Sequence, residues 1–181
     1  LRSPITNLMG KAQVTLSRER PPEEYKAVLE CCTEELGRVT RIVSDMLFLA
    51  KSDNQLIVPH PEDVDLVDEV KGVFEFYEAL AEEKSITLRC TGAGVVSGDR
   101  LMLRRAISNV MSNALRYTPE GMSIAVAIEE DSAAVSLTVA NPGKAIPAEH
   151  LPRLFDRFYR VDGSRQRFSD GVGLGLAITR S

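Results

Sequence analysis

Apolar residues recur in two different rhythms along this chain, and the change between them marks its organisation. Over residues 1–51 the steps are three and four. Leu29, Cys32, Leu36, Val39, Val43, Met46 and Ala50 form an a/d seam, and Leu1, Ile5, Leu8, Ala12 and Thr15 keep a similar beat before it. Pro21-Pro22 stops the first helix, and Glu23-Glu24 put negative charge where a helix N-terminus favours it. Two helices cannot bury two seams alone. The pattern predicts a helical hairpin that completes a four-helix bundle with a second copy of the chain.

Residues 52–62, with Pro59 and Pro61, break the periodicity and read as a linker. A second unit, 63–181, follows. The spacing predicts a helix over 66–84, with Leu66, Val70, Val73, Phe74, Tyr77 and Leu80 on one face, and a short strand over 86–89. A further helix runs to Leu115, with Asp99 as its N-cap. Residues 124–128 and 135–139 alternate like paired strands around a turn at Asp131-Ser132. The whole reads as an α+β chain.

Composition narrows the classes. With 44% apolar residues in 181, a packed core is within reach, and no apolar run approaches the ~20 residues that span a bilayer. A net charge of -4 argues against general nucleic-acid binding. Cys31, Cys32 and Cys90 make no paired framework, which fits a reducing compartment. The basic stretch 144–170 stands out in this acidic chain. It carries Lys144, Arg153, Arg157, Arg160, Arg165 and Arg167 around Phe155, Phe158 and Tyr159, and reads as a lid over an anionic ligand.

Three features share that anionic theme. Asn109 and Asn113 stand at i and i+4 on one helix face, and an amide oxygen suits Mg²⁺, a hard cation that keeps several waters. Asn141-Pro142-Gly143 is a glycine turn that lets backbone approach a ligand. Gly171-Val172-Gly173-Leu174-Gly175 opens a helix with free N–H groups. No Walker lysine motif occurs, so the order points to ATP held by other means.

These residues carry a resemblance. Leu1-Arg2-Ser3-Pro4 looks like the tail of the H box of sensor histidine kinases, His-Glu/Asp-Leu-Arg-Thr/Ser-Pro. The stretch from Ile107 through Pro119 looks like their N box, 154–160 like the F box, and 170–176 like the G2 box. The wording of 43–50 and 101–106 is most similar to the heavy-metal (copper/silver) branch. The resemblance implies a dimerisation and phosphotransfer hairpin over 1–51, and a catalytic ATP-binding domain of the histidine-kinase/Hsp90-like sandwich type over 63–181. The enzyme would be a protein histidine kinase that moves the ATP γ-phosphate to a His and then to a response-regulator Asp. The parent would be a bacterial inner-membrane sensor with this segment on the cytoplasmic side.

The resemblance also assigns roles. Asn113 holds Mg²⁺. Asn109, Arg116, Arg157 and Arg160 contact phosphates, and Tyr117 lies against adenine. Asn141, Gly143, Ile146, Gly171, Gly173, Leu174 and Gly175 complete the nucleotide contacts, and Ser3 orients water in phosphatase action. Two departures stand out. Asn141 replaces the usual adenine-reading Asp, and Ala145 replaces a Gly. The acceptor His is expected just upstream of Leu1, since His60 and His150 lie in the linker and the lid; the chain alone is therefore expected not to autophosphorylate. Two other readings remain open: a clamp ATPase of the chaperone or mismatch-repair kind, and a nucleotide-binding module without catalysis.

Overall fold

The computed structural model describes residues 2–161 and 172–180. Two antiparallel helices, α1 (Arg2–Leu16) and α2 (Pro22–Asp53), form the hairpin. Helix α1 ends well before Pro21. Ser17 Oγ and Arg20 Nη2 both donate to Val14 O, so side chains satisfy a terminal carbonyl that the next turn would have used. Helix α2 starts with Pro22, whose missing N–H costs nothing at that position, followed by Glu23 and Glu24. It runs to Asp53, slightly past the expected 51, and so carries Asp53 out of the expected linker and onto the helix.

The a/d seam read from the sequence is not the face that packs within the chain. Val28, Cys31, Glu35, Arg38, Ile42, Asp45 and Leu49, one residue over, are the half-buried or buried stripe of α2. Of the seam, Leu29, Leu36, Val43, Met46 and Ala50 remain exposed, while Cys32 and Val39 are half-buried. Facing them across the hairpin, Leu8 and Ala12 are half-buried and Thr15 is buried, while Ile5, Met9 and Leu16 stay exposed.

The second unit is an α+β layer structure, with β1 (Glu62–Asp65), α3 (Leu66–Glu83), β2 (Thr87–Gly92), β3 (Val95–Gly98), α4 (Arg100–Tyr117), β4 (Ser123–Glu130) and β5 (Val135–Ala140). A 3₁₀ turn (Ala148–Arg153) and α5 (Gly175–Arg180) complete the described elements. Strands β2, β4 and β5 make one sheet, parallel between β2 and β4 and antiparallel between β4 and β5. Strands β1 and β3 pair antiparallel in a separate ribbon that the sequence pattern did not reveal. The main core lies between α3, α4 and the larger sheet, with Val70, Val73, Met111 and Leu115 meeting Ile124, Val126 and Ile128.

Caps fix both central helices. Asp65 Oδ1 accepts from Val67 N at the start of α3, a cap the sequence reading did not name, and Asp99 Oδ1 accepts from Met102 N at the start of α4, the cap it predicts. One charge lies inside. Glu69, with 0% exposure, sits on the apolar face of α3, and accepts from Arg100 Nη1 at 3.0 Å and Arg104 Nε at 2.6 Å. Buried carboxylates persist only when paired this way. The pairing bolts α3 to α4.

Candidate functional site

Helix α4 is two-faced. Ile107, Met111, Ala114 and Leu115 are buried against the sheet. Asn109, Asn113 and Arg116, half-buried, occupy the opposite side. Asn109 Nδ2 is enclosed yet has no hydrogen-bond partner. A buried amide normally finds one, because leaving it unpaired costs about 1–3 kcal/mol. Among the described residues its partner is missing, and a ligand is one group that would supply it.

Helix α5 begins beside it. A methyl group added at Gly175 would lie 3.5 Å from Asn109 Oδ1. The N-box helix and the glycine loop, far apart in sequence, thus meet. The loop continues through Gly173, at φ +77°, a left-handed value that favours glycine. A methyl there would come within 2.7 Å of Tyr159 O. Phe158, itself at φ +63°, donates its N–H to Gly173 O at 2.9 Å, so the F-box loop and the glycine loop are stitched together. Gly171 lies outside the described residues, as do Arg165 and Arg167. Leu174 is buried, with its side chain turned away from solvent against Leu49 and Ile178.

At the other end of α4, Tyr117 is exposed and its carbonyl oxygen would be 3.1 Å from a methyl at Gly143; Asn141 Nδ2 is 3.5 Å from the same point. Close backbone approach is what glycine permits here. Ile146, also exposed, follows in the same segment. The Asn141-Pro142-Gly143 turn and the G2 glycines therefore both meet α4, the turn at its C-terminal end beside Tyr117 and Gly175 at mid-helix beside Asn109.

The lid residues divide. Tyr159 is anchored by His150, whose Nδ1 lies 2.6 Å from the phenol oxygen, and by the Arg153 guanidinium, 4.3 Å from the ring centroid. Arg160 is exposed at the end of this loop. Arg157 points to α2 instead, where it meets Asp53 with both terminal nitrogens. Ser3 lies in the first turn of α1. Sequence reasoning missed Asp53 and also Asp45, which accepts from Arg105 Nη2 at 2.7 Å. The one available signal was an acidic residue at the end of a helix, where the dipole disfavours it.

The donor set fits Mg²⁺-ATP: an orphaned amide, a neighbouring amide one turn away, and two glycine cradles that a Cβ would fill. Among the described residues no cluster of three His, Cys, Asp or Glu side chains gathers to hold a metal by itself.

Comparison with known proteins finds two family matches along the chain. Residues 1–55 match the His Kinase A (phospho-acceptor) domain, and residues 98–181 match the histidine kinase-, DNA gyrase B-, and HSP90-like ATPase family. The sensor histidine kinase CusS of Escherichia coli O6:H1 is 53% identical over 182 residues, covering 100% of this chain and 38% of that protein. The chain thus spans well under half the length of this relative. The structure of the Acinetobacter baumannii histidine kinase AdeS shares the fold, with a TM-score of 0.79 at 23% identity over 98% of this chain and 82% of that one. Histidine kinase ThkA, solved in complex with the response regulator protein TrrA, aligns with a TM-score of 0.74 at 25% identity, over 88% of this chain and 47% of that one. The chain belongs to the sensor histidine kinase family, within its copper/silver branch, and joins a phospho-acceptor hairpin to an ATPase domain of the Hsp90-like class.

Proposed function

We propose that this chain is the Mg²⁺-ATP-binding and phosphotransfer core of a two-component sensor kinase engaged in metal-stress signalling. The observation that carries the reading is the enclosed, unpartnered Asn109 Nδ2 beside Gly175, one helical turn from Asn113. When bound, Mg²⁺-ATP supplies the phosphoryl group, which leaves the β-phosphate oxygen and bonds to an imidazole nitrogen of a hairpin histidine. Catalysis of this kind is positioning and charge neutralisation.

The chain's residues supply both. Asn113 offers its amide oxygen to the cation, while Asn109, Arg116 and Arg160 donate to phosphate oxygens. Tyr117 lies against the adenine, and Asn141 accepts from its amino group through a neutral carbonyl oxygen. Gly143 and Ile146 line that end; Gly171, Gly173, Leu174 and Gly175 present backbone at the phosphate end. Ser3, early in α1, orients water for the reverse, dephosphorylating reaction.

Partners follow from the hairpin. The exposed stripe Leu29, Leu36, Val43 and Leu47, with Ile5, Met9 and Leu16 on α1, supports a homodimer closed by a second hairpin. A response-regulator receiver domain is the acceptor in the next step, as the ThkA–TrrA complex suggests. No described helix is long and apolar enough to cross a membrane, and we assign the anchoring of the parent to other segments.

Calorimetric titration with ATP tests the site. Asn113→Ala is expected to weaken binding about tenfold or more in Mg²⁺, the scale of one contact to a charged group, and far less in EDTA. Equal loss in both conditions removes Asn113 from the cation.

A further inference from the structure

Helix α2 has 32 residues and α1 has 15, so α2 outruns its hairpin partner. Lys11 Nζ lies 3.0 Å from Cys31 Sγ, and this antiparallel register brings the start of α1 alongside the region of Arg41. The turns of α2 beyond that point leave the hairpin and lie on the ATPase unit.

Their contacts fall on one face of α2, at positions 45, 48, 49 and 53. Asp45 Oδ1 accepts from Arg105 Nη2 at 2.7 Å, and the same guanidinium lies 4.1 Å from the Phe48 ring centroid. Leu49, 3% exposed, packs between Leu174 and Ile178. Asp53 receives two parallel bonds from Arg157, Nη1 to Oδ2 at 2.8 Å and Nη2 to Oδ1 at 2.5 Å. The order along the helix is ion pair, apolar plug, ion pair. The acids are all on the hairpin and the arginines all on the ATPase unit.

Two arguments make the outer pair more than a chance surface contact. Asp53 is the last residue of α2, where the carbonyl end of the helix repels a carboxylate, so its charge needs a cation to meet it. Arg157 answers with the planar two-point geometry that fixes orientation as well as distance. That commits both terminal guanidinium nitrogens to the hairpin. The next residue, Phe158, is bonded to Gly173, so the clasp also reaches the glycine loop.

We propose that Arg157 is a docking residue rather than a phosphate ligand: Asp53–Arg157 and Asp45–Arg105 form a two-point clasp around Leu49 that sets the pose of the ATPase unit on the hairpin. The nucleotide half of this statement rests on the site proposed above. Arg157 and Asp53 are thus positioning residues for transfer between the two units.

The test uses this chain and two readouts, amide hydrogen exchange and ATP titration in Mg²⁺. Asp53→Ala and Arg157→Ala are each expected to raise exchange in α5 and the last turns of α2 about fivefold, the scale of one released surface contact. Both should leave ATP affinity within about twofold. The reversed pair, Asp53→Arg with Arg157→Asp, should restore protection, and Arg157→Lys should restore only part of it, since it keeps the charge and loses the fork. A tenfold or greater loss of ATP affinity in Arg157→Ala alone overturns the proposal. So does unchanged exchange in both single variants, or a reversed pair that keeps its circular dichroism and stays unprotected. A wild-type chain that binds no ATP removes the proposed nucleotide site, and the exchange data then decide the clasp by themselves.

Discussion

Gly173 and Gly175 lie two residues apart in one loop, and the structure expects opposite behaviour from them. Alanine at 173 must adopt φ +77°, which costs about 1–2 kcal/mol for a residue with a Cβ. Its methyl would meet Tyr159 O at 2.7 Å and Phe158 C at 2.9 Å, both backbone atoms that cannot rotate aside. Relieving that clash parts the Phe158 N–Gly173 O bond, worth about 1 kcal/mol net. The sum is about 2–3 kcal/mol, or roughly 5–10 °C in the melting temperature of a chain this size. Alanine at 175 meets none of this. Its methyl would be in ordinary contact, 3.5 Å from Asn109 Oδ1, at the first residue of α5, where alanine is the better helix former. Gly175→Ala should keep its melting temperature and lose ATP affinity, because the methyl stands beside Asn109 where the proposed site places the phosphates. Scanning calorimetry with and without ATP separates the two. A Gly173→Ala protein that melts within about 1 °C of wild type would refute the steric argument. A Gly175→Ala protein that binds ATP normally would refute the placement of the ligand beside Asn109.

Leu36→Glu sets a charge in the exposed seam of α2, where a second hairpin would bury it at a cost of several kcal/mol; sedimentation should find a wild-type dimer and a variant monomer. The Asp99 carboxyl is held below its ordinary value by accepting the backbone N–H groups of His60 and Met102. A depressed folded value means its stabilisation is complete above the ordinary carboxylate range and is lost as pH falls through the folded value, below about pH 4. Urea midpoints should therefore fall more steeply for wild type than for Asp99→Asn between pH 5 and pH 3. The difference between the two proteins isolates Asp99 from Asp53 and Asp131, whose carboxyls are also depressed.

What could be read from the sequence was whatever one helix or one turn carries by itself. The Asn109/Asn113 face, the Asp99 cap and the glycine runs are local, and their spacing is their geometry. Strand β1 was hidden because its burial rests on one residue, Val64, among Glu62, Asp63 and Asp65, and its partner β3 stands about thirty residues on. Glu69 stands on the buried face of α3 between Leu66 and Val70, a visible breach of the apolar pattern, yet the arginines that neutralise it come from α4. The hairpin carries two stripes a single residue apart in register. Two neighbouring stripes on α2 both keep the three-four beat, and only packing decides which one serves α1 and which is left for another surface.

The same reasoning explains why Arg157 was assigned to a phosphate. An arginine in a basic, aromatic loop after a glycine turn has an obvious anionic target nearby in sequence, while its partner in the structure lies 104 residues away. An arginine's sequence context says that it seeks an anion and leaves the choice of anion to the tertiary fold. Here the choice follows from the length of α2: its last turns bring Asp53, a carboxylate of the hairpin, to Arg157 in the lid loop. Its extra turns supply acids at 45 and 53 and an apolar plug at 49 between them, and Leu174, within the glycine run, is a residue the plug meets. On the proposed site, the loop that presents backbone to the ligand is also the floor on which the hairpin rests, which predicts that a change in one surface is felt by the other.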